Sequence, residues 1–497
     1  MLFTTATFIC LFLPVVLAGF FAIARFSHGA AALWLFLASV VFYGYWMPEF
    51  TLLLLGSIIG NFWVGTRISA STDSADAGQH ARSKHWLMFG VAVNLALLSY
   101  FKYANFFIDN LNAMLGSGWD IGRVILPIGI SFFTFTQIAY LVDTWRKGVR
   151  EHKFVHYGLF VTYFPHLIAG PVLHHAQMMP QFGQSETYRF QAANFTAGLA
   201  IFALGMFKKV VLADGVSPYA DAIFAAADAG TTPSFAEAWL GAIAYTVQLY
   251  FDFSGYSDMA IGLSWMVNIR LPFNFNAPYQ ATNISDFWRR WHMSLSQFLR
   301  DYLYIALGGN RKGAIRRYVN LMATMVLGGL WHGASWSFVL WGFLHGLFLG
   351  VNHAFRALCG PRWCERLAHQ RAFVALSWLL TMLSVTVAWV VFRAETLAGA
   401  LGMLASMVKP AMFDPAHTLL WNAGLDGSRG WSWCAALCAL AIIGPNSNHI
   451  GSRLRTLCQH RATARHLLAG LSFTAVGFIL TINLMRDSVS AFIYFNF

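Results

Sequence analysis

The stretch LGGLWHGASWSFVLWGFLHG, Leu327 to Gly346, contains no aspartate, glutamate, lysine or arginine. It joins the apolar runs that start near Tyr318 and Ser335, and about 20 residues of such sequence are long enough to cross the hydrocarbon core of a bilayer as a helix. Gly328, Gly329, Gly333 and Ala334 let another helix, or a ligand, come close to its backbone. Within this run stands His332. An ionisable side chain at membrane depth is expensive to bury and is a functional candidate by default. Imidazole is also the side chain best able to give and take a proton near neutral pH. The plainer alternative is a neutral histidine that donates one hydrogen bond to a helix carbonyl. His345, which a helix places on nearly the opposite face, is read in that plainer way.

Similar runs fill the rest of the chain. They start near Phe3, Ala30, Phe50, Trp86, Val124, Phe154, Phe195 and Ala236, and later near Tyr318, Ser335, Phe373, Trp433 and Leu467. At ~20 residues per span, this gives about eleven to thirteen crossings. Some are re-entrant or broken, since Pro127, Pro165 and Pro171 interrupt apolar sequence. The expected fold is all-α and polytopic in a membrane, as one embedded domain over residues 1–497. Composition agrees. Of the 497 residues 57% are hydrophobic and only 11% are charged, against roughly 25% charged in soluble domains. That leaves too little polar surface to cover a globule in water. The first run, Phe3 to Ala24, has no basic residue before it and the length of a retained span rather than a cleaved signal.

Net charge is +12, with 33 Lys and Arg against 21 Asp and Glu. The basic residues sit in short loops between apolar runs, the bias of membrane proteins, so nucleic acid is not expected as a partner. Arg25 follows the first run, Arg67, Arg82 and Lys84 the third, and Arg146, Lys147, Arg150 and Lys153 the fifth. The N-terminus is therefore expected outside the cytoplasm. Two hydrophilic insertions, Ser71 to Lys84 and Lys409 to Gly430, read as loops. The cysteines Cys10, Cys359, Cys364, Cys434, Cys438 and Cys458 form neither a zinc pattern nor a disulfide framework and are read as packing residues. No internal repeat is visible, which weighs against an inverted-repeat transporter.

A second unusual segment is NISDFWRRWHMSLSQFLRDYLYIA, Asn283 to Ala306, which mixes Arg289, Arg290, Arg300 and Asp301 with large apolar residues. It reads as one amphipathic helix capped by Ser285 or Asp286, lying at the interface or on a polar rim. Trp288, Trp291, Leu295, Leu299 and Tyr302 share its apolar face, and His292 lies at the edge of that face. Asp252 and Asp258 flank Gly255 in an apolar run and either pair with Lys208 and Lys209 or with Arg289, or orient a histidine or line a polar funnel. His166, His174 and His175 lack a third ligand at a diagnostic spacing, so no metal site is expected.

Taken together, LPIGISFFTFTQIAYLVD, FPHLIAGPV, YFDFSGYSDMAIG, ISDFWRRWHMSLSQFLRDYLYI, GGNR and LWHGASWSFVLWG resemble the membrane-bound O-acyltransferase (MBOAT) family. The likeness is strongest to its bacterial branch of alginate O-acetylation proteins, whose relatives include D-alanine exporters of teichoic acid. The blocks run in family order and are densest over residues 120–346, and the closing FIYFNF fits the same branch. The resemblance implies a ring of helices around a thinned centre, with a funnel that meets a histidine near the midplane. That histidine is His332, and the family's second position, histidine or asparagine, falls on His292. It further implies a multi-pass protein of the bacterial inner membrane, with acetyl-CoA as donor substrate and no other cofactor. Acetyl groups then pass across the membrane to periplasmic acetyltransferases of the SGNH type, which modify an exported polysaccharide, alginate or a related glycan.

The residues suit such chemistry. Acyl transfer from a thioester needs a base for the attacking hydroxyl and a means of stabilising an oxyanion. His332 fits the base, and His292 either a hydrogen-bond donor or a second proton carrier. Arg289, Arg290, Arg300, Arg311 and Lys312 can form a cationic rim for the CoA phosphates. No Gly-x-Ser-x-Gly elbow is present, which favours direct transfer without an enzyme ester. The competing classes are a glycan or acyl transporter and a non-catalytic scaffold of a polysaccharide-modifying complex.

Overall fold

A computed structural model describes residues 1–497 except 73–76, 121, 169, 410–418, 487–489 and 494–497. Among the described residues every regular element is helical. Among the described residues, seven helices are long and apolar enough to cross a membrane: Thr7–Ala24, Pro48–Ser71, Gln79–Leu115, Ala192–Asp228, Trp336–Ala368, Arg371–Arg393 and Ala462–Leu484. Two shorter apolar helices are His28–Gly44 and Leu397–Val408. The chain is thus an all-α, multi-pass membrane protein. Several of the expected runs are broken, as the prolines foretold. The chain leaves helical geometry between Thr162 and His175, where Pro165 and Pro171 lie, and again between Leu115 and Ile130, where Pro127 lies.

The residues divide into two compact units. One comprises Met1–Met206, Tyr256–Pro272 and Gly451–Asn496, and the other comprises Phe207–Gly255 and Phe273–Ile450. In the first, polar side chains inside the apolar bundle find one another. Asn61 and Asn94, on facing helices, exchange amide hydrogen bonds at 3.3 and 2.6 Å. In the second, Lys209 lies between Asp252 at 2.6 Å and Asp214 at 2.8 Å, with all three side chains almost fully buried. Asp252 is therefore a structural partner of Lys209, and not of Arg289.

Three expectations change. Residues 77–84 of the first hydrophilic insertion are helical and open Ala77–Leu98; they hold no proline, and Gly78 stands in the first turn, with helix-favouring Gln79, Ala81, Arg82 and Lys84 following. In the second insertion, 410–418 lie outside the described residues. Gly427 and Gly430 belong to the helix Gly427–Ile443, which Asp426 caps by accepting from the Ser428 N–H. Third, Asn283 to Ala306 is three pieces rather than one helix: Ile284–Arg290, Met293–Phe298 and a wider π-helical segment, Leu299–Tyr304. Its cap is Asn283, whose side chain accepts from the Asp286 N–H at 2.9 Å, and neither Ser285 nor Asp286. Of the cysteines, Cys434 and Cys458 are buried, whereas Cys10 faces outward. Tyr494 to Phe497 of the closing FIYFNF lie outside the described residues.

Candidate active site

Glycine decides how His332 is placed. The helix Ala314–His332 packs along Trp336–Ala368, and a Cβ on Gly329 would collide with the Phe338 carbonyl oxygen. One on Gly342 would collide with the Met325 carbonyl oxygen and meet Val326 Cα at 2.9 Å. Only bare backbone at both positions permits this approach. His332 is the last residue of the first helix, and Gly333 then turns extended, at φ −167°. The imidazole is 4% exposed. Trp341 and Phe392 present T-shaped contacts to it at 5.1 and 5.2 Å between ring centres, and Trp331 lies at 4.8 Å.

His292 is placed by strain. It sits at the break between Ile284–Arg290 and Met293–Phe298 with φ at 43°, in the left-handed region that L residues rarely occupy. Such a backbone typically costs about 1–3 kcal/mol and persists where its surroundings enforce it. Here the enforcement is visible. The Met293 N–H donates to the Asn274 carbonyl and the Asn276 N–H to the Arg290 carbonyl, both at 2.9 Å, clipping residues 274–276 against the break. Ala277, beside that clip, is also left-handed at φ 45°.

Asn274 then fixes the tautomer of His292. Its Oδ1 accepts from the Ser294 N–H at 3.2 Å and from Ser294 Oγ at 2.9 Å. A backbone N–H can only donate, so the amide atom facing it is the oxygen. His292 Nδ1 lies 3.2 Å from that same oxygen and must carry the proton. Nε2 therefore carries the lone pair. The ring is fully buried, and desolvation pushes its pKa down to about 3, so it is neutral throughout the physiological range. Phe253 meets it edge-on at 4.8 Å and Trp331 lies at 6.2 Å. Trp331 thus touches both His292 and His332, and the structure gathers the two predicted histidines around one indole.

Sequence reasoning missed Asn274, Trp331 and the partner of His345. His345 is fully buried, and its Nδ1 accepts from Trp288 Nε1 at 3.2 Å, where donation to a helix carbonyl was expected. Trp341 and Trp389 also pack on it. The polar Asn274 inside RLPFNFNAPYQ, beside large apolar residues, was the available signal. The arginines differ among themselves. Arg290 is paired with Asp286 at 2.9 Å and Arg300 with Asp301 at 2.7 Å, whereas Arg289, Arg311 and Lys312 are exposed. In the first unit, His166 Nε2 donates to the Phe160 carbonyl at 3.1 Å and His175 Nδ1 meets Asp143 at 3.1 Å.

Residues 148–391 match the sequence profile of the membrane-bound O-acyltransferase family. Over 100% of its own length and 98% of the relative's, the chain is 38% identical to a peptidoglycan O-acetyltransferase of Helicobacter pylori. The chain belongs to the membrane-bound O-acyltransferase family. Two further MBOAT relatives are named as probable alginate O-acetylases. The one from Azotobacter vinelandii is 44% identical over 82% of this chain and 78% of the relative. The one from Pseudomonas aeruginosa is 43% identical over 89% of this chain and 81% of the relative. The protein is accordingly an enzyme, an O-acyltransferase. The stretch matched by the MBOAT profile contains His292, His332 and His345.

Proposed function

We propose that this acyltransferase takes acetyl groups from cytoplasmic acetyl-CoA and passes them across the inner membrane for O-acetylation of an exported polysaccharide. The observation that carries the reading is the pairing of His332 and His292 around Trp331, in the part of the chain that matches the family. Relatives named for alginate and for peptidoglycan share one acceptor chemistry, a carbohydrate hydroxyl, and alginate is our first candidate polymer. Periplasmic SGNH-type acetyltransferases are the proposed partners that complete delivery.

In this mechanism His332 accepts the proton of the attacking hydroxyl as its oxygen bonds to the thioester carbonyl carbon. Its place at the C-terminal end of a helix stabilises the positive charge that develops on the ring. Collapse breaks the carbon–sulfur bond, and the imidazolium returns its proton to the CoA sulfur. The products are an acetyl ester and free CoA thiol, with His332 neutral again. His292 offers Nε2 as an acceptor that orients the attacking hydroxyl. Its N–H is engaged by Asn274, which supports an acceptor role, with a second proton carrier, the other role read from sequence, as the alternative. Exposed Arg289, Arg311 and Lys312 serve the CoA phosphates better than Arg290 and Arg300, whose charges carboxylates offset.

The test uses purified protein in proteoliposomes with acetyl-labelled acetyl-CoA supplied on one side. Release of CoA thiol together with label appearing on acceptor at the opposite side supports the reading. Label that crosses with no thiol released identifies a transporter and overturns it.

A further inference from the structure

The first unit contains a cavity of about 570 Å³ whose lining includes none of the residues given a role in acyl transfer above. It is lined among others by Gln181, Glu186, Thr187, Asn268, Arg270 and Arg455. Both arginines are held from behind by amides. Gln181 accepts from the Arg270 N–H at 2.8 Å and donates to the Arg270 carbonyl at 2.9 Å. Arg455 Nε donates to Asn194 at 3.0 Å, and Asn194 donates to Asn268 at 2.9 Å. Asn268, left-handed at φ 61°, donates onward to the Arg189 carbonyl at 2.7 Å. The Arg455 guanidinium also lies over the Trp265 ring at 5.7 Å.

This scaffold holds two like charges together. Among the described residues, no carboxylate lies within ion-pair distance of either guanidinium. Burial, and then the neighbouring Arg270, hold Arg455 below the usual arginine value. Glu186 is exposed at the rim, so two cations against one anion leave the lining net positive.

Position narrows the ligand. Tyr188, in the turn that contributes Glu186 and Thr187, stacks on His28 at 4.6 Å and on Phe20 at 5.7 Å. Phe190 meets Phe21 at 5.3 Å. Phe20 and Phe21 stand near the end of the span Thr7–Ala24, and His28 opens the next apolar helix. The turn is therefore level with the end of a span, where the hydrocarbon core gives way to headgroups. Phe190, which follows the turn in the chain, is 58% exposed and serves as an apolar anchor.

We propose that this cavity binds the phosphate of an anionic phospholipid headgroup. Guanidinium groups take phosphate oxygens in bidentate fashion, and basic pockets among spans are recurrent sites for acidic lipids. A soluble phosphate ester presents the same chemistry. The position of the lining turn at the end of a span, with exposed Phe190 following it, assigns the source to lipid.

Native mass spectrometry of the full-length protein in detergent tests this, with phosphatidylglycerol and phosphatidylcholine as probes. Phosphatidylglycerol is expected to be retained in preference, and Arg270→Gln to weaken its binding about fivefold. Arg270 is exposed, and its side chain makes none of the amide contacts, so this variant keeps the fold. Arg455→Gln should act in the same direction. Equal retention of the two lipids, or unchanged phosphatidylglycerol binding in Arg270→Gln, overturns the proposal. A third arm adds 3′,5′-adenosine bisphosphate. If it displaces the lipid at equimolar concentration, the site belongs to a soluble phosphate ester and the lipid assignment fails.

Discussion

His166 and His292 are both buried imidazoles, 3% and 0% exposed, and desolvation pushes both down in pKa, to about 4 and about 3. They differ in what the protein has done with their nitrogens. His166 donates from Nε2 to the Phe160 carbonyl, a local bond six residues away that ties down the turn after its helix. His292 donates from Nδ1 to an asparagine eighteen residues away, on a strained backbone, and turns its basic nitrogen into an aromatic enclosure shared with His332. One ring ends a structural bond. The other is oriented. Burial and depressed basicity are common to both and so do not mark a functional histidine, whereas long-range orientation at a backbone cost does.

That contrast can be broken or sharpened by substitution. The largest effect belongs to His332→Ala, since removing a general base typically lowers turnover about 10²- to 10⁴-fold. Polymer acetylation in cells should vanish while membrane insertion and expression persist. For His292→Ala a smaller but large loss is expected, about tenfold to a thousandfold. His292→Asn should recover part of it, because an amide can still bond Asn274 and present an oxygen. An asparagine variant as inactive as alanine assigns proton transfer to Nε2. Next comes Asn274→Leu, which removes the group that fixes the ring. Loss of a buried hydrogen bond of about 1–2 kcal/mol corresponds to roughly a tenfold fall in turnover, measured against an unchanged KM for acetyl-CoA.

The smallest effect on turnover is expected at His166, where the readout is stability. Its folded pKa of about 4 lies below the unfolded value of 6.5, so the unfolded chain binds more protons between those limits. Stability should therefore fall as pH drops from about 6.5 towards about 4, and that fall should shrink in His166→Gln. Melting temperatures across this range check it. An acid-induced drop of equal size in both proteins removes His166 from the account.

The membrane fold was legible because apolar runs long enough to span a bilayer need no tertiary information. His332 drew attention on the same ground, as an imidazole among glycines in an apolar stretch that also holds His345. The break at His292 was not. Residues 284–305 contain neither glycine nor proline, and the clip that imposes the left-handed turn comes from Asn274 and Asn276. Such pairing is tertiary and leaves no local pattern. The Arg290–Asp286 pair lies at helical spacing and was available, yet charge counting alone assigned Arg290 to the cationic rim. Ser285 and Asp286 are as good N-caps as Asn283 by residue type, so only the backbone could choose among them. At Gly329 the close approach was foreseen, and the structure supplied its partner, the Phe338 carbonyl; Gly342, which meets the Met325 carbonyl, was not singled out.

The most direct measurement compares His332→Ala, His166→Gln and the parent chain in proteoliposomes, following CoA thiol release from acetyl-CoA alongside melting temperature. His332→Ala should lose thiol release by at least about a hundredfold while melting close to the parent. His166→Gln should turn over normally and differ from the parent only in its response to acid. Parental thiol release from His332→Ala would contradict the claim that this histidine is the base.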